Sequence, residues 1–276
     1  MSKINILTTI KYVILILFII ICFFPFYYAV LNSFRYIRQI PDLGWLPTNI
    51  TLDNWLYAFK QGSYVPRWIF NSIFVTTIIS TLTLIFDTCA GYAFARKIFP
   101  GNKFLFMTVI FCYTVPYAML LIPIYTMMSQ LKLLNTYIAL IAPAASPLGV
   151  FMIRQSVFSV PKDLDEAAKL DGCSDFGIFW RIVLPLLKPA LASVFIVTFV
   201  TQWNWFIYPF IVTNKEEMFT LTVGLYNVAQ TSAGALWPPE WGLIMVLITV
   251  TFIPLFFVFL IFQEYFTRGM VLSGMK

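Results

Sequence analysis

The sequence of 276 residues contains no histidine, and this absence removes several kinds of functional site. Imidazole metal sites, Ser-His-Asp triads and histidine proton relays all need a side chain that the chain does not have. Its four cysteines stand far apart in the sequence, so they form neither a metal-ligand spacing nor an evident disulfide framework. No Gly-x-x-x-x-Gly-Lys-Ser/Thr pattern occurs, so the chain lacks the loop that cradles nucleotide phosphates.

Charged residues are also few in this sequence. Only 11% of the residues are charged, whereas 60% are hydrophobic and the mean hydropathy is +0.84. A soluble domain of this composition would expose large apolar patches, and apolar runs of about 18 residues or more indicate membrane spans. The formal net charge of +6 is expected for basic loops on the cytoplasmic side of a membrane and implies no nucleic-acid partner. We therefore expect an integral membrane protein in contact with the lipid bilayer.

The apolar runs predict an all-α, polytopic membrane protein with six transmembrane helices, at residues 12–31, 68–95, 104–127, 136–157, 188–212 and 241–265. With the N-terminus inside the cell, twelve of the eighteen Lys and Arg residues face the cytoplasm and six face outward. Both termini are therefore expected to be cytoplasmic. The predicted organisation is an anchor span with an outer loop (1–67), a transmembrane core of five spans (68–266) with a long cytoplasmic loop (158–187), and a cytoplasmic tail (267–276).

The loop at 158–187 predicts two short helices joined at a glycine. Acidic residues at its start suit the positive end of a helix dipole, and Gly172 stands where a left-handed C-cap would end the first helix. Ser174 is a candidate N-cap for the second helix, whose spacing predicts one apolar face made of Phe176, Phe179, Trp180 and Val183. Pro185 ends it. Pattern alone leaves two interpretations open: an interfacial helix in the lipid headgroups, or a docking element for a cytoplasmic partner.

The same loop resembles the signature of the inner-membrane permeases of binding-protein-dependent ABC importers. The match runs from Glu166-Ala167-Ala168 through Gly172 to Ile182-Val183-Leu184-Pro185. The stretches "GYAFARKIFPGNKFLF" and "QWNWFIYPFI" are similar to the carbohydrate-uptake branch, and most similar to the smaller permease of maltose-type transporters.

That resemblance implies the permease subunit of an ATP-driven importer in a prokaryotic cytoplasmic membrane. That branch takes up oligosaccharides, glycosides or occasionally glycerol phosphates, and the resemblance implies an oligosaccharide above all for this chain. The implied partners are a second homologous permease, two ATPase subunits that hold ATP and Mg²⁺, and an extracellular solute-binding protein. This chain itself would hold no cofactor and would not be an enzyme.

The resemblance also assigns roles to residues of this chain. It implies that the loop is a coupling helix seated in a cleft of the ATPase subunit, through Glu166, Ala167, Ala168, Asp171, Gly172, Ile182, Leu184 and Pro185. It further implies that the C-terminal tail reaches the interface between the ATPase subunits, through Gly269, Gly274 and Lys276. The docking interpretation of the loop is thereby favoured over the lipid-surface one.

Candidate substrate residues lie in the fifth predicted span. Aromatic rings can pack on the C–H faces of a sugar and amides can bond its hydroxyl groups. This span offers both at membrane depth, in Gln202, Trp203, Asn204, Trp205 and Tyr208. The same residues fit an interfacial aromatic belt with an interhelical hydrogen bond equally well.

An acidic residue in the second predicted span raises a different class of function. Asp87 would be the coupling residue of a secondary carrier driven by an ion gradient. A buried helix–helix hydrogen bond or a cavity-facing polar group is the favoured explanation, because the middle spans offer no histidine and no second acid as a relay partner. A membrane-embedded enzyme has little support, since no His, Cys or carboxylate cluster occurs in the spans.

Overall fold

The computed structural model describes residues 6–35, 50–61, 63–142, 146–234 and 241–274, with side chains from residue 9 onward except at 232–234 and 265–274. Within these ranges the regular structure is helical, apart from one isolated bridge between Arg35 and Ile50. The predicted all-α class is confirmed.

The described part of the chain forms fourteen α-helices in this order: α1 Ile6–Ser33, α2 Asp53–Ala58, α3 Val65–Arg96, α4 Asn102–Thr114, α5 Tyr117–Gln130, α6 Tyr137–Ile141, α7 Pro147–Ser159, α8 Asp163–Leu170, α9 Asp175–Ile178, α10 Leu184–Leu186, α11 Lys188–Trp203, α12 Ile207–Val212, α13 Leu221–Gly234 and α14 Trp241–Gly274. A π-helical turn, Phe179–Val183, lies between α9 and α10. A 3-10 turn, Glu216–Met218, precedes α13.

Three stretches of the described chain are long and apolar enough to cross a membrane: Thr9–Ser33, Val65–Arg96 and Trp241–Glu264. Two further candidates are bent pairs, namely α4 with α5 at 97°, and Asp175–Leu186 with α11 at 75°. Length and composition therefore give three spans, or up to five if each bent pair is one span, where the sequence predicts six. The polytopic membrane class holds on either count.

The predicted span at 136–157 is divided into α6 and α7. Pro147 opens α7 at its first turn, where a missing N–H costs nothing. The Ser146 hydroxyl caps the same turn by accepting a hydrogen bond from the Gly149 N–H at 3.1 Å. A capped, proline-led N-terminus starts a new helix, which is why one apolar run becomes two elements.

The chain divides into two compact units, of which the first comprises Met1–Pro66 and Val223–Pro254. In this unit the Asn54 side-chain amide donates hydrogen bonds to the carbonyls of Ser33 at 3.1 Å and Arg35 at 2.7 Å. The Trp55 indole N–H donates to the Ser33 hydroxyl at 3.1 Å. A Cβ added at Gly242 would overlap the Asn54 amide. Helix α2 is therefore fixed to the end of α1 by polar contacts.

The second unit comprises Arg67–Thr222 and Leu255–Lys276 and contains two buried apolar clusters. One cluster lies beneath the loop at 158–187, called the polar loop from here on, and includes Tyr92, Ile153, Val157, Ile178 and Val183. The other packs α3, α6 and α12 together and includes Val75, Ile79, Leu140, Tyr208 and Val212.

Polar groups near the start of α3 hold a loop of the same unit. The Asn71 amide donates to the carbonyls of Glu217 and Phe219, both at 2.9 Å, and its oxygen accepts from the Tyr137 hydroxyl at 2.6 Å. Every polar atom of this fully buried side chain is thus bonded, which a low-dielectric environment requires.

Candidate functional site

Helix α8 and the turn after it have the predicted caps. Gly172 adopts the left-handed conformation with φ +81°. The Gly172 N–H donates to the Lys169 carbonyl at 3.0 Å and the Cys173 N–H to the Ala168 carbonyl at 2.9 Å, the paired bonds of a Schellman motif. The Ser174 hydroxyl then accepts from the Gly177 N–H at 3.2 Å as the N-cap of α9. Both local predictions are confirmed.

The single apolar face predicted for the second helix is wrong in half of its members. Phe179 and Val183 are buried, but Phe176 and Trp180 are 71% and 52% exposed. The π-helical turn Phe179–Val183 has a wider winding, which breaks the i, i+3, i+4 register at Trp180, whereas Phe176 lies before that turn, in α9. Two aromatic rings are therefore left on the outer side of the loop.

Helices α3 and α7 approach each other closely on the way to this loop. A Cβ built on Gly91 would lie 2.8 Å from the Ile153 Cβ, and one built on Gly149 would overlap the Asp87 carboxylate. The residue numbers rise together in the two pairs, so the helices run parallel. They consequently arrive at the polar loop side by side.

Arg96, the last residue of α3, links that helix to the loop. Its Nη2 donates to the Val160 carbonyl at 2.6 Å, and its Nε lies 2.9 Å from Asp165 Oδ2 in the first turn of α8. The two side chains are 5% and 16% exposed. The Nε–H does not point at the carboxylate, so the contact is an ion pair rather than an aligned hydrogen bond. A buried charge pair thus fixes the start of α8 to the end of α3.

A second ion pair lies on the solvent side of the loop. Lys97 donates a hydrogen bond to Asp175 and thereby holds the pKa of that carboxyl below its usual range. A group with a lowered pKa contributes its stabilisation at neutral pH and loses it as the pH falls through that pKa. Lys169 Nζ lies 3.9 Å from the other carboxylate oxygen. Because Asp175 is exposed, salt screens this contact far more than the Arg96–Asp165 pair.

The residues assigned to ATPase coupling fall into an outer and an inner group. Glu166, Ala167, Asp171, Gly172 and Pro185 are exposed. Ala168 is buried, and Ile182 and Leu184 are half-buried against the cluster beneath the loop. The loop therefore has one side committed to its own chain and one side free to meet a partner.

The outer side also carries Leu170, which the sequence analysis did not single out. Leu170 is 90% exposed and stands two residues before the left-handed Gly172, close in sequence to the exposed Phe176. Its position as an apolar residue at the end of a short charged helix could have indicated this exposed site from the sequence. Exposed apolar side chains flanked by carboxylates are typical of a protein–protein contact.

The tail residues assigned to the ATPase interface stand at the edge of what is described. Gly269 and Gly274 lie in the helical backbone of the last part of α14, where side-chain surroundings are outside the described residues. Lys276 lies outside the described residues altogether.

The five candidate substrate residues are not one cluster. Trp203 is 2% exposed and stacks on Phe199 at 6.0 Å, and Tyr208 is fully buried with its hydroxyl donating to the Ala139 carbonyl at 2.6 Å. The exposed Asn204 donates its amide back to the Val200 carbonyl at 2.8 Å. Trp203 and Tyr208 therefore belong to the packed interior.

Gln202 and Trp205 are the two candidates with a group that could still contact a ligand, an acceptor oxygen in Gln202 and a partly exposed ring in Trp205. Both are half-buried, and Gln202 Oε1 accepts no hydrogen bond from the described residues. The Trp205 ring stacks on Tyr208 at 4.9 Å and contacts the Tyr117 ring at 5.2 Å. Tyr117 was not among the candidates predicted from the sequence. Its position directly after Pro116, inside an apolar run, could have indicated a ring at a helix break.

A neighbouring groove between α5 and α12 is a poor place for a sugar. Its volume is about 450 Å³, and its lining residues are Leu121, Ile122, Tyr125 and Ile211. The Tyr125 hydroxyl is the only polar side-chain group among them, so the groove offers little to the many hydroxyl groups of a saccharide.

Asp87 does not make the helix–helix hydrogen bond expected of it within the described residues. It is 3% exposed, and its Oδ2 is buried without a hydrogen-bond partner there. It packs against Gly149 of α7 instead. No group of three or more His, Cys, Asp or Glu side chains that could hold a metal ion occurs in the part of the chain that is described.

Comparison with known proteins decides the family. The family "Binding-protein-dependent transport system inner membrane component" matches residues 87–272, which include the α3–α7 pair, the polar loop and most of α14. The chain belongs to this family. It is a multi-pass membrane permease subunit of a transport system.

This permease is 34% identical over 261 residues to the arabinooligosaccharides transport system permease protein of Halalkalibacterium halodurans, covering 93% of this chain and 92% of the relative. Its fold is similar to that in the crystal structure of a bacterial ABC transporter involved in the import of the acidic polysaccharide alginate, with a TM-score of 0.82, 23% identity, and 96% and 100% of the two chains covered. A chain of the bacterial alginate ABC transporter in complex with an alginate pentasaccharide-bound periplasmic protein gives a TM-score of 0.65 at 14% identity, over 95% and 94% of the chains.

Proposed function

We propose that this permease carries an oligosaccharide into the cell, powered by ATP that separate subunits hydrolyse. The substrate class rests on the similarity, along nearly the whole chain, to a permease named for arabinooligosaccharides. An extracellular binding protein delivers the sugar, as the family description implies. Arabinose oligomers are accordingly the first substrates to test.

The observation that carries the mechanism is the two-sided construction of the polar loop. On its inner side, Arg96 pairs with Asp165, while Ala168, Phe179 and Val183 belong to the buried cluster. On its outer side, Glu166, Leu170 and Phe176 are exposed. A partner bound to the outer side moves the inner side with it, because the ion pair and the buried packing fix the inner side to the rest of the chain.

The partner that fits is an ATPase subunit. The sequence contains no P-loop, so ATP and Mg²⁺ belong on two such subunits and this chain supplies only the contact. Closure of the two ATPases would push α8, and Arg96 would pass that movement to α3 and its parallel neighbour α7. Transport then follows from rigid-body motion of the spans rather than from chemistry in this chain.

The assembly that this mechanism needs has a defined composition and orientation. A second homologous permease completes the translocation path, and both termini and the polar loop face the cytoplasm. The excess of Lys and Arg on that side supports the orientation.

Reconstituted transport tests the proposal. The permease is expressed with its neighbouring permease and ATPase genes, purified, and placed in liposomes with the binding protein and labelled arabinotriose. We expect the ATPase to co-purify, and uptake to require ATP at a constant membrane potential. ATP-independent uptake by this chain alone would instead support an ion-driven carrier with Asp87 as its coupling residue.

A further inference from the structure

Two interruptions of helical structure meet in the second unit. Helix α4 ends at Thr114, and α5 starts at Tyr117 with a bend of 97° between them, after Pro116 as N-cap. Helix α11 ends at Trp203, and α12 starts at Ile207. The ring centroids of Tyr117, the first residue of α5, and Trp205, which lies between α11 and α12, are 5.2 Å apart. The two interruptions therefore contact each other through these aromatic rings.

The surroundings of these interruptions favour water over lipid. Non-helical backbone at membrane depth occurs only where protein buries it or where it lines a water-filled cavity. Pro116 and Asn204 are exposed in this chain, and Tyr117 is 37% exposed. Since the chain itself does not bury them, they face either an aqueous path or the second permease.

The Trp205 ring is held rigidly from behind. It stacks at 22° on Tyr208, whose hydroxyl is bonded to the Ala139 carbonyl, and the Thr222 hydroxyl donates to the Trp205 carbonyl at 3.0 Å. A half-exposed indole fixed in this way loses little conformational entropy when a flat ligand covers it. Tyr117 adds a second ring inclined at 59° to the first.

A polar group with an unused acceptor stands close by in the sequence. Gln202 Oε1 is buried and accepts no hydrogen bond from the described residues, and Gln202 lies one helical turn before Trp205. A buried acceptor without a partner costs free energy until a donor reaches it. A sugar hydroxyl is such a donor once the Gln202 side chain turns toward the surface, and the C–H face of the same sugar ring is apolar enough to cover an aromatic ring.

We propose that Trp205 and Tyr117 form a sugar-binding surface where the two helix interruptions meet, with Gln202 accepting a hydroxyl hydrogen bond. This proposal rests on the proposed transport function and assigns it a place on this chain. The ligand is one neutral sugar ring of an oligosaccharide in passage. The site is distinct from the apolar groove along α5 and α12, which begins one helical turn further on at Leu121.

The test uses the complete transporter in liposomes with labelled arabinotriose, and compares uptake with ATP hydrolysis stimulated by the loaded binding protein. Replacing Trp205 by Leu removes the ring, and we expect the KM for uptake to rise about tenfold, which corresponds to a loss of about 1.4 kcal/mol of binding free energy. Stimulated ATP hydrolysis should persist, because the polar loop is untouched. Tyr117→Leu should act in the same direction, and Trp205→Phe should retain most of the affinity.

Phe104→Leu is the matched control, since Phe104 is a 73% exposed ring in the first turn of α4, ten residues before that helix ends at Thr114. It should leave the KM unchanged. Wild-type KM values in both Trp205→Leu and Tyr117→Leu would overturn the sugar-binding surface, and so would loss of the second permease from both purified complexes. If Trp205→Leu alone does not assemble, the KM of Tyr117→Leu decides in the same way. Absence of ATP-dependent uptake in the wild type would overturn the transport function itself.

Discussion

Replacing Arg96 tests whether the buried ion pair transmits force between the polar loop and α3. Arg96→Met keeps a long apolar stem and removes the charge, which leaves Asp165 with its partner gone and the Val160 carbonyl without its donor. Asp165→Asn removes the opposite charge while preserving shape. The double variant removes both charges and completes a thermodynamic cycle.

The size of the effect follows from the geometry. At 2.9 Å and an effective dielectric constant of about 20, the attraction between the charges is about 6 kcal/mol, and desolvation of the nearly buried pair offsets much of it. Removing one partner of a buried pair costs about 3–5 kcal/mol, and we expect Arg96→Met in that range because Val160 is also affected. Asp165→Asn should cost about 3 kcal/mol. The double variant should resemble Arg96→Met alone, which gives a coupling free energy of about 3 kcal/mol.

Two measurements check this prediction on the detergent-solubilised and reconstituted complex. Unfolding free energies give the cycle, and the number of ATP molecules hydrolysed per sugar transported reports whether the loop still moves the spans. We expect that number to rise in Arg96→Met. Asp175→Asn removes an exposed ion pair from the same loop and should change neither quantity appreciably. Strictly additive effects of the two substitutions would refute the reasoning.

Three further predictions concern single positions. Gly172→Val should cost about 1–2 kcal/mol and abolish ATP-driven uptake while membrane insertion, measured by membrane fractionation, stays normal, whereas Gly172→Asn should retain uptake. The reason is that the left-handed backbone, and not a lack of space, excludes valine there. Gly149→Ala should lower the thermal unfolding midpoint because its methyl group overlaps the Asp87 carboxylate, and Asp87→Ala should restore that midpoint in the double variant; an uncorrected double variant would contradict the close approach. Leu170→Asp should weaken co-purification of the ATPase subunits without lowering the stability of the permease, and an unchanged ATPase yield would argue against the outer side of the loop as the contact.

Local rules were sufficient wherever a few neighbouring residues decide the structure. Gly172 and Ser174 were predictable because a left-handed C-cap and an N-cap depend on the backbone within a few residues. The exposure of Trp180 was not predictable in the same way. A π-helical turn has no reliable local signature, and one such turn rotates every side chain that follows it.

Contacts between distant parts of the chain account for the other differences. The Arg96–Asp165 pair joins residues of two helices that no periodicity connects. Trp203 and Trp205 stand two residues apart, yet one is buried and the other part-exposed, because α11 ends between them and the chain turns. Composition predicted that aromatic and amide groups occur in this region, but only the end of the helix determines which of them a ligand can reach.

The exposure of α1 has a consequence for how the protein is made. Only 6% of the apolar window of α1 is buried by the rest of the chain, whereas the corresponding value for α3 is 39%. Helix α1 can therefore enter the bilayer as soon as it has been synthesised, since lipid alone satisfies it. Helix α3 has to wait, because Asn71 near its start and Arg96 at its end find their partners only when much later segments have emerged. We therefore expect biogenesis in two stages: α1 anchors the chain early, and α3 reaches its final position only after the later segments have emerged.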